Sequence, residues 1–155
     1  MLVVTMAVPA MAVEVGKGAT VTVNEYISFT VTDPGDSGLN WGDLDPGETD
    51  QPEVAQISSG AVTLTVAAET NVGCDIEVKG TDFTGAGTID ISNAKWDTDS
   101  DVSGATAMTT DYVTITTSTA LALTEQDVWH WLSIPSAQEA GSYSSTFYYQ
   151  AVKTS

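Results

Sequence analysis

The sequence predicts an all-β protein, an antiparallel β-sandwich of the immunoglobulin-like or jelly-roll-like kind with about seven to nine strands. Apolar and polar residues alternate in several short segments, which is typical of half-buried strands. β-branched and aromatic residues fill these segments, and clusters of Gly, Pro and Asp separate them. No window keeps the period of 3.6 residues that an amphipathic helix requires.

Residues 1–15 form an apolar N-terminal segment, and residues 16–155 are expected to form a single β-sandwich domain. The first twelve residues carry no charge and end in Ala10-Met11-Ala12, the small-x-small pattern after which signal peptidase cuts. Residues 1–5 lack the basic residues with which a signal peptide normally starts. The segment is therefore either a signal remnant or an apolar extension that stays on the mature protein.

A run of twelve apolar residues is too short to span a bilayer, which needs about 20. We therefore expect an exported, extracellular protein at the cell surface with no direct membrane span. If the segment stays on the protein, its large side chains must be buried elsewhere. The side chains concerned are Leu2, Val3, Val4, Met6, Val8, Met11 and Val13.

The first half of the domain predicts three strands and one long loop. Apolar odd positions in residues 20–32 indicate a strand that Glu25 interrupts, either as a bulge or as a division into two strands. Two Asp-Pro-Gly turn signals make residues 33–52 a long acidic loop, with Trp41 and Leu44 as its anchors. Alternation returns in residues 61–67 and 72–79, which are expected to pair as a hairpin.

The second half predicts further strands at residues 88–92, 112–117, 128–134 and 143–153, with acidic or Gly-rich loops between them. Residues 128–134 are apolar on both faces, so they should form a central strand that ends before Pro135. A short turn of helix in residues 121–126 is the only helical alternative. The expected core anchors of these last two strands are Trp129, Trp131, Phe147 and Tyr149.

The composition excludes several classes of partner and site. Twenty-one acidic residues against four lysines give a net charge of −17, and the chain has no arginine, so nucleic acids and anionic lipid surfaces are unsuitable partners. The single Cys74 cannot form an internal disulfide and alternates in phase with Val72, Ile76 and Val78, which favours burial. The single His130 lies within an apolar strand, where a structural role is favoured over catalysis. We therefore expect no enzyme activity.

Calcium is the one cofactor that the acidic loops suggest, because it binds several carboxylate oxygens. Asp97, Asp99 and Asp101 have the alternate spacing of calcium ligands, but Val102 and Met108 stand where an EF-hand loop has Gly and Glu. The other acidic loop contains further candidate ligands, which are Asp33, Asp36, Asp43 and Asp45, with Glu48, Asp50 and Glu53 beside them. The alternative for both loops is a solvated acidic surface without calcium.

Four tryptophans allow a second functional interpretation. Trp41, Trp96, Trp129 and Trp131 could form a platform on which a glycan stacks, although packing anchors are the commoner role of Trp in a core of this size. The alternative function is therefore a secreted module that binds a carbohydrate or another partner, with or without calcium.

The C-terminal sequence WHWLSIP at residues 129–135, followed by AGSY at residues 140–143, resembles the W-L-x-I-P … A-G-x-Y ending of secreted prokaryotic β-sandwich surface proteins. With its apolar N-terminal segment, the chain is similar in outline to exported filament subunits such as archaeal bundling pili and bacterial TasA-like matrix fibres. This resemblance implies donor-strand complementation, in which a terminal segment of one subunit completes the sheet of its neighbour. The predicted function is therefore an extracellular structural protein that self-assembles into a filament or pilus, a sheath or a surface layer, with copies of itself as partners.

Overall fold

All strand pairings are antiparallel in the computed structural model, which describes residues 17–35 and 38–154. The predicted all-β class is confirmed, and the arrangement is consistent with a β-sandwich. Seven strands have four or more residues and five are shorter. The strands are β1 Phe29–Thr32, β2 Gln51–Pro52, β3 Val62–Val66, β4 Cys74–Gly80, β5 Phe83–Gly85, β6 Thr88–Ile89, β7 Ala94–Asp97, β8 Thr106–Ala107, β9 Val113–Ser118, β10 Thr124–Leu132, β11 Tyr143–Ser144 and β12 Phe147–Lys153.

The strands form two layers. The first sheet has the order β1-β3-β10-β7-β8, and β2 also pairs with β10. The second layer has the order β12-β4-β9. Its β4 and β12 continue into the small sheet β11-β5-β6, because the amide of Thr81 donates to the carbonyl of Thr146 between the two parts.

The core lies between the layers and follows from the alternation in the sequence. Val62, Leu64 and Val66 of β3 are buried, and so are the alternate residues Cys74, Ile76 and Val78 of β4. Burial of one such side chain stabilises the fold by about 1.5–3 kcal/mol. Cys74 is a free thiol within this core, as its phase in the sequence predicts, and burial raises its pKa.

The predicted hairpin of residues 61–67 and 72–79 is wrong, because β3 and β4 lie in opposite layers. β3 pairs with β1 and β10, whereas β4 pairs with β12 and β9. The connection between them crosses the end of the sandwich, where the buried Thr70 accepts a hydrogen bond from the amide of Ser28 at 3.0 Å. Two strands with one buried face each satisfy the same alternation whether they pair side by side or face each other.

Other elements differ from their predicted bounds. Of residues 20–32, only β1 at the end is a strand. The last predicted strand is divided into β11 and β12, and a 3-10 turn at Ile91–Asn93 follows β6. β10 begins within the residues for which a helical turn was the alternative and is central in its sheet, as predicted. A short helix, α1, at Val54–Ser59 was not predicted.

In the described part of the chain, no helix has both the length and the apolar character that a membrane crossing requires.

Gly85 allows β5 and β11 to approach closely. A Cβ atom at this position would lie 1.9 Å from the carbonyl oxygen of Ser142, so the backbone would have to move. We expect Gly85→Ala to lower the free energy of unfolding by about 1–3 kcal/mol, measured by urea denaturation. Gly87→Ala is the matched control in the same turn, because its nearest atoms are flexible side-chain ends at 3.4 Å or more. Equal stability of the two variants would contradict the close approach.

Candidate functional site: an open groove between β1 and β12

A groove of about 870 Å³ lies at the border between the two layers, where β1 and β12 are the edge strands. Residues 38–44 and 141–149 form much of its wall. Some Cα atoms of β1 and β12 lie within 8 Å of each other, and Lys153, the last residue of β12, forms an ion pair with Glu25, which precedes β1. The apolar side chains that line the groove include Val31, Leu39, Trp41, Leu44, Ile134 and Phe147.

Val31 shows that the groove is an uncovered part of the core. It pairs across the sheet with Leu64, which is fully buried, yet Val31 itself is 42% exposed. Among residues 17–35 and 38–154, β1 pairs only with β3, and β12 pairs only with β4. β1 and β12 are therefore sheet edges at the groove whose outer backbone groups have no strand partner in this part of the chain, and such edges are templates for another strand.

An aromatic cluster forms the floor of the groove. The ring centroids of Trp41, Phe83 and Phe147 lie 5.8–6.0 Å from one another, in tilted or edge-to-face orientations. His130 packs edge-on against Phe147 at 5.6 Å. Such pairs contribute about 0.5–1.5 kcal/mol beyond the area that they bury, so the floor is a preformed apolar surface.

His130 lies beneath this floor and is fully buried. Its Nε2 lies 2.9 Å from the hydroxyl oxygen of Tyr149, and its Nδ1 has no hydrogen-bond partner in the described residues. Burial lowers the pKa of His130 to about 3, and burial together with the charge of Asp33 raises the pKa of Tyr149. Both side chains are therefore neutral at physiological pH. Their hydrogen bond connects β12, which contains Tyr149, to β10, which contains His130.

The helix α1 fills a gap beside β10 and holds the loop that walls the groove. The side chain of Gln56 donates to the carbonyl of His130 at 2.6 Å and accepts from its amide at 2.9 Å, in place of a strand partner. The buried carboxylate of Glu53 caps α1 by accepting from the amide of Gln56 and also accepts from the amide of Asn40 at 3.1 Å. Sequence reasoning missed this network, because a helix of six residues is too short to show a helical period; the Glu-x-x-Gln spacing was its only signal.

Residues 17–23, which we call the arm, have no regular secondary structure and are exposed throughout. Val21 and Val23 are 88% and 76% exposed. Just after the arm, the side chain of Asn71 donates to the carbonyl of Asn24 at 2.8 Å and accepts from the amide of Tyr26 at 2.7 Å. The apolar odd positions that predicted a strand here are thus solvent-exposed.

The predicted donor side chains lie outside the described residues; they are Leu2, Val3, Val4, Met6, Val8, Met11 and Val13. Their role as donor strand stays a prediction. The candidate calcium ligand Asp36 lies outside the described residues as well.

The acidic residues proposed as calcium ligands do not converge where the structure describes them. In that part of the chain, no group of three or more His, Cys, Asp or Glu could hold a metal ion. The carboxylates of Asp97, Asp99 and Asp101 instead accept hydrogen bonds from nearby backbone amides, which sets local turns. Asp33 and Asp43 lie at the groove, and Asp45 is exposed in the loop after it.

The predicted anchors occupy both faces of the sheets. Trp131 is buried and Trp129 is half-buried; they alternate with Val128 and His130, so they lie on the outer face of β10 rather than between the layers. Phe147 and Tyr149 are half-buried and pack against the core. Because Trp96 is buried as well, the four tryptophans do not form one exposed platform.

No protein-family model matches this chain, and no curated protein matches it in sequence. Its function therefore has to be inferred from the groove, the arm and the charge of the surface.

The burial of His130 predicts a pH dependence of stability. The folded imidazole has a pKa of about 3 and the unfolded one about 6.5, so only the unfolded chain binds this proton between those values. Above pH 6.5, protonation of His130 does not lower the free energy of unfolding. Below pH 6.5, this free energy falls by about 1.4 kcal/mol per pH unit until the pH reaches about 3.

Urea unfolding of the wild type and of His130→Gln at pH 7.5 and pH 5.0 measures this effect. The wild type should lose about 2 kcal/mol more than the variant, because the variant keeps every carboxylate and lacks only the imidazole. An equal loss in both proteins would contradict the buried, neutral His130.

Proposed function

We propose that this protein is an extracellular structural subunit that polymerises with copies of itself by strand donation, with residues 1–15 of one copy filling the groove of the next. The groove carries this proposal, because the inward-facing Val31 lies on a sheet edge that no strand of the described residues covers. A strand added there would satisfy the edge and cover apolar core side chains in one step.

The chemistry of residues 1–15 suits the groove. Leu2, Val4, Met6 and Val8 alternate, so a strand of these residues would present four large apolar side chains on one face. Burial of each contributes about 1.5–3 kcal/mol. Residues 1–13 carry no charge, so the acidic groups at the groove, such as Asp33, do not repel them.

The arm supports donation to a second copy. Val21 and Val23 are 88% and 76% exposed, so the arm itself is not packed into its own domain. A contact between a donor segment on one copy and a groove on the next is heterologous and does not close on itself. Repetition of this contact would produce a filament or pilus, a sheath or a surface layer at the cell surface.

Two complementary variants test the proposal. The first lacks residues 1–15 and cannot donate; the second is the full chain with Val31→Lys, which places a charge on the groove wall and prevents acceptance. We expect each variant alone to stay monomeric and an equimolar mixture to form dimers that grow no further, measured by analytical ultracentrifugation. The unmodified chain should form filaments in negative-stain electron micrographs.

Thr30→Lys is the matched control, because Thr30 is the neighbour of Val31 on the opposite, exposed face of β1. This variant should polymerise as the unmodified chain does. Polymers formed by the chain without residues 1–15, or a mixture of the two variants that stays monomeric while the unmodified chain polymerises, would contradict strand donation.

A further inference from the structure

Two exposed leucines lie in the connection between β9 and β10. Leu121 is 70% exposed and Leu123 is 61% exposed. Leu121 also has a φ of 57°, in the left-handed region that Gly, Asn and Asp adopt far more readily than a bulky side chain. Neither leucine side chain is buried in its own domain, so burial does not offset the strain of the backbone at Leu121. We call this pair the leucine turn.

The leucine turn lies beside the point where the arm leaves the domain. The carbonyl of Thr70 accepts a hydrogen bond from the amide of Leu121 at 2.7 Å, and the Thr70 hydroxyl accepts one from the amide of Ser28. The side chain of the next residue, Asn71, accepts a hydrogen bond from the amide of Tyr26, which is itself 54% exposed. Three exposed apolar side chains and the arm therefore share one end of the sandwich.

We infer that the leucine turn is a second contact between copies and packs against the domain whose groove receives residues 1–15. This inference rests on the proposed strand donation. The eleven residue steps from Val15 to Tyr26 span at most about 40 Å, while a domain of this size has a radius of gyration of about 15 Å. The receiving groove therefore lies within about 40 Å of the end of the sandwich that carries the leucine turn, a distance at which the two domains can touch.

The charge of the molecule favours an apolar contact at this place. Copies with a net charge of −17 repel one another, and the chain has only four lysines with which to form ion pairs between copies. Two of them, Lys95 and Lys153, already pair within the domain, with Asp50 and Glu25. Uncharged side chains such as Leu121 and Leu123 are then the suitable contact groups where two copies meet.

Leu121→Asn tests the contact, because Asn adopts the left-handed conformation readily and removes the apolar side chain. In the full chain with Val31→Lys, which is expected to stay monomeric, the melting temperature should stay the same or rise when Leu121→Asn is added. In the full chain, the variant with both Leu121→Asn and Leu123→Thr should raise the critical concentration for polymerisation at least about tenfold, measured by sedimentation. Leu121→Met, which keeps an apolar side chain, should polymerise as the unmodified chain does.

The outcomes separate the two proposals. If the double variant polymerises at the same critical concentration as the unmodified chain, the leucine turn is not a contact. Strand donation is then decided separately, by the mixing experiment with Val31→Lys. If the unmodified full chain does not polymerise, both proposals fail.

Discussion

The structure depends on a border at which the two layers of the sandwich meet, and no strand of residues 17–35 and 38–154 lies between β1 and β12 there. Each layer has an apolar inner face that must be covered, and β3 and β4 cover each other across the core. At β1 and β12 this mutual cover ends, so Val31 and the aromatic floor of the groove remain partly open. The proposed assembly would complete this border, because a further strand is a structural element that can pair with such edges.

The walls of this border are held by buried polar groups rather than by strand pairing alone. Gln56 pairs with the backbone of His130, and the imidazole of His130 reaches Tyr149 on the opposite layer. Glu53 ties the same helix to the loop at Asn40. Buried groups that satisfy one another in this way rigidify their surroundings, so the groove is preformed and a ligand strand does not have to order it.

The surface and the groove have opposite character. A net charge of −17 makes separate copies repel one another, whereas apolar and aromatic side chains form just over half of the lining of the groove, which also includes Asp33 and Asp43. Under the proposed assembly, association would therefore come from uncharged segments. Residues 1–13 and the two exposed leucines are regions with this property.

The sequence by itself determined the fold class, the central position of β10 and the burial of Cys74, because the two-residue alternation reports directly which side of a strand faces the core. It did not determine which strands are neighbours. β3 and β4 follow each other and have the same alternation, yet they lie in opposite layers, since alternation records a buried face and not the partner that buries it. The groove and the Glu53–Gln56–His130 network were likewise decided only by the tertiary structure, because they depend on residues that are far apart in the chain and meet only when the layers pack.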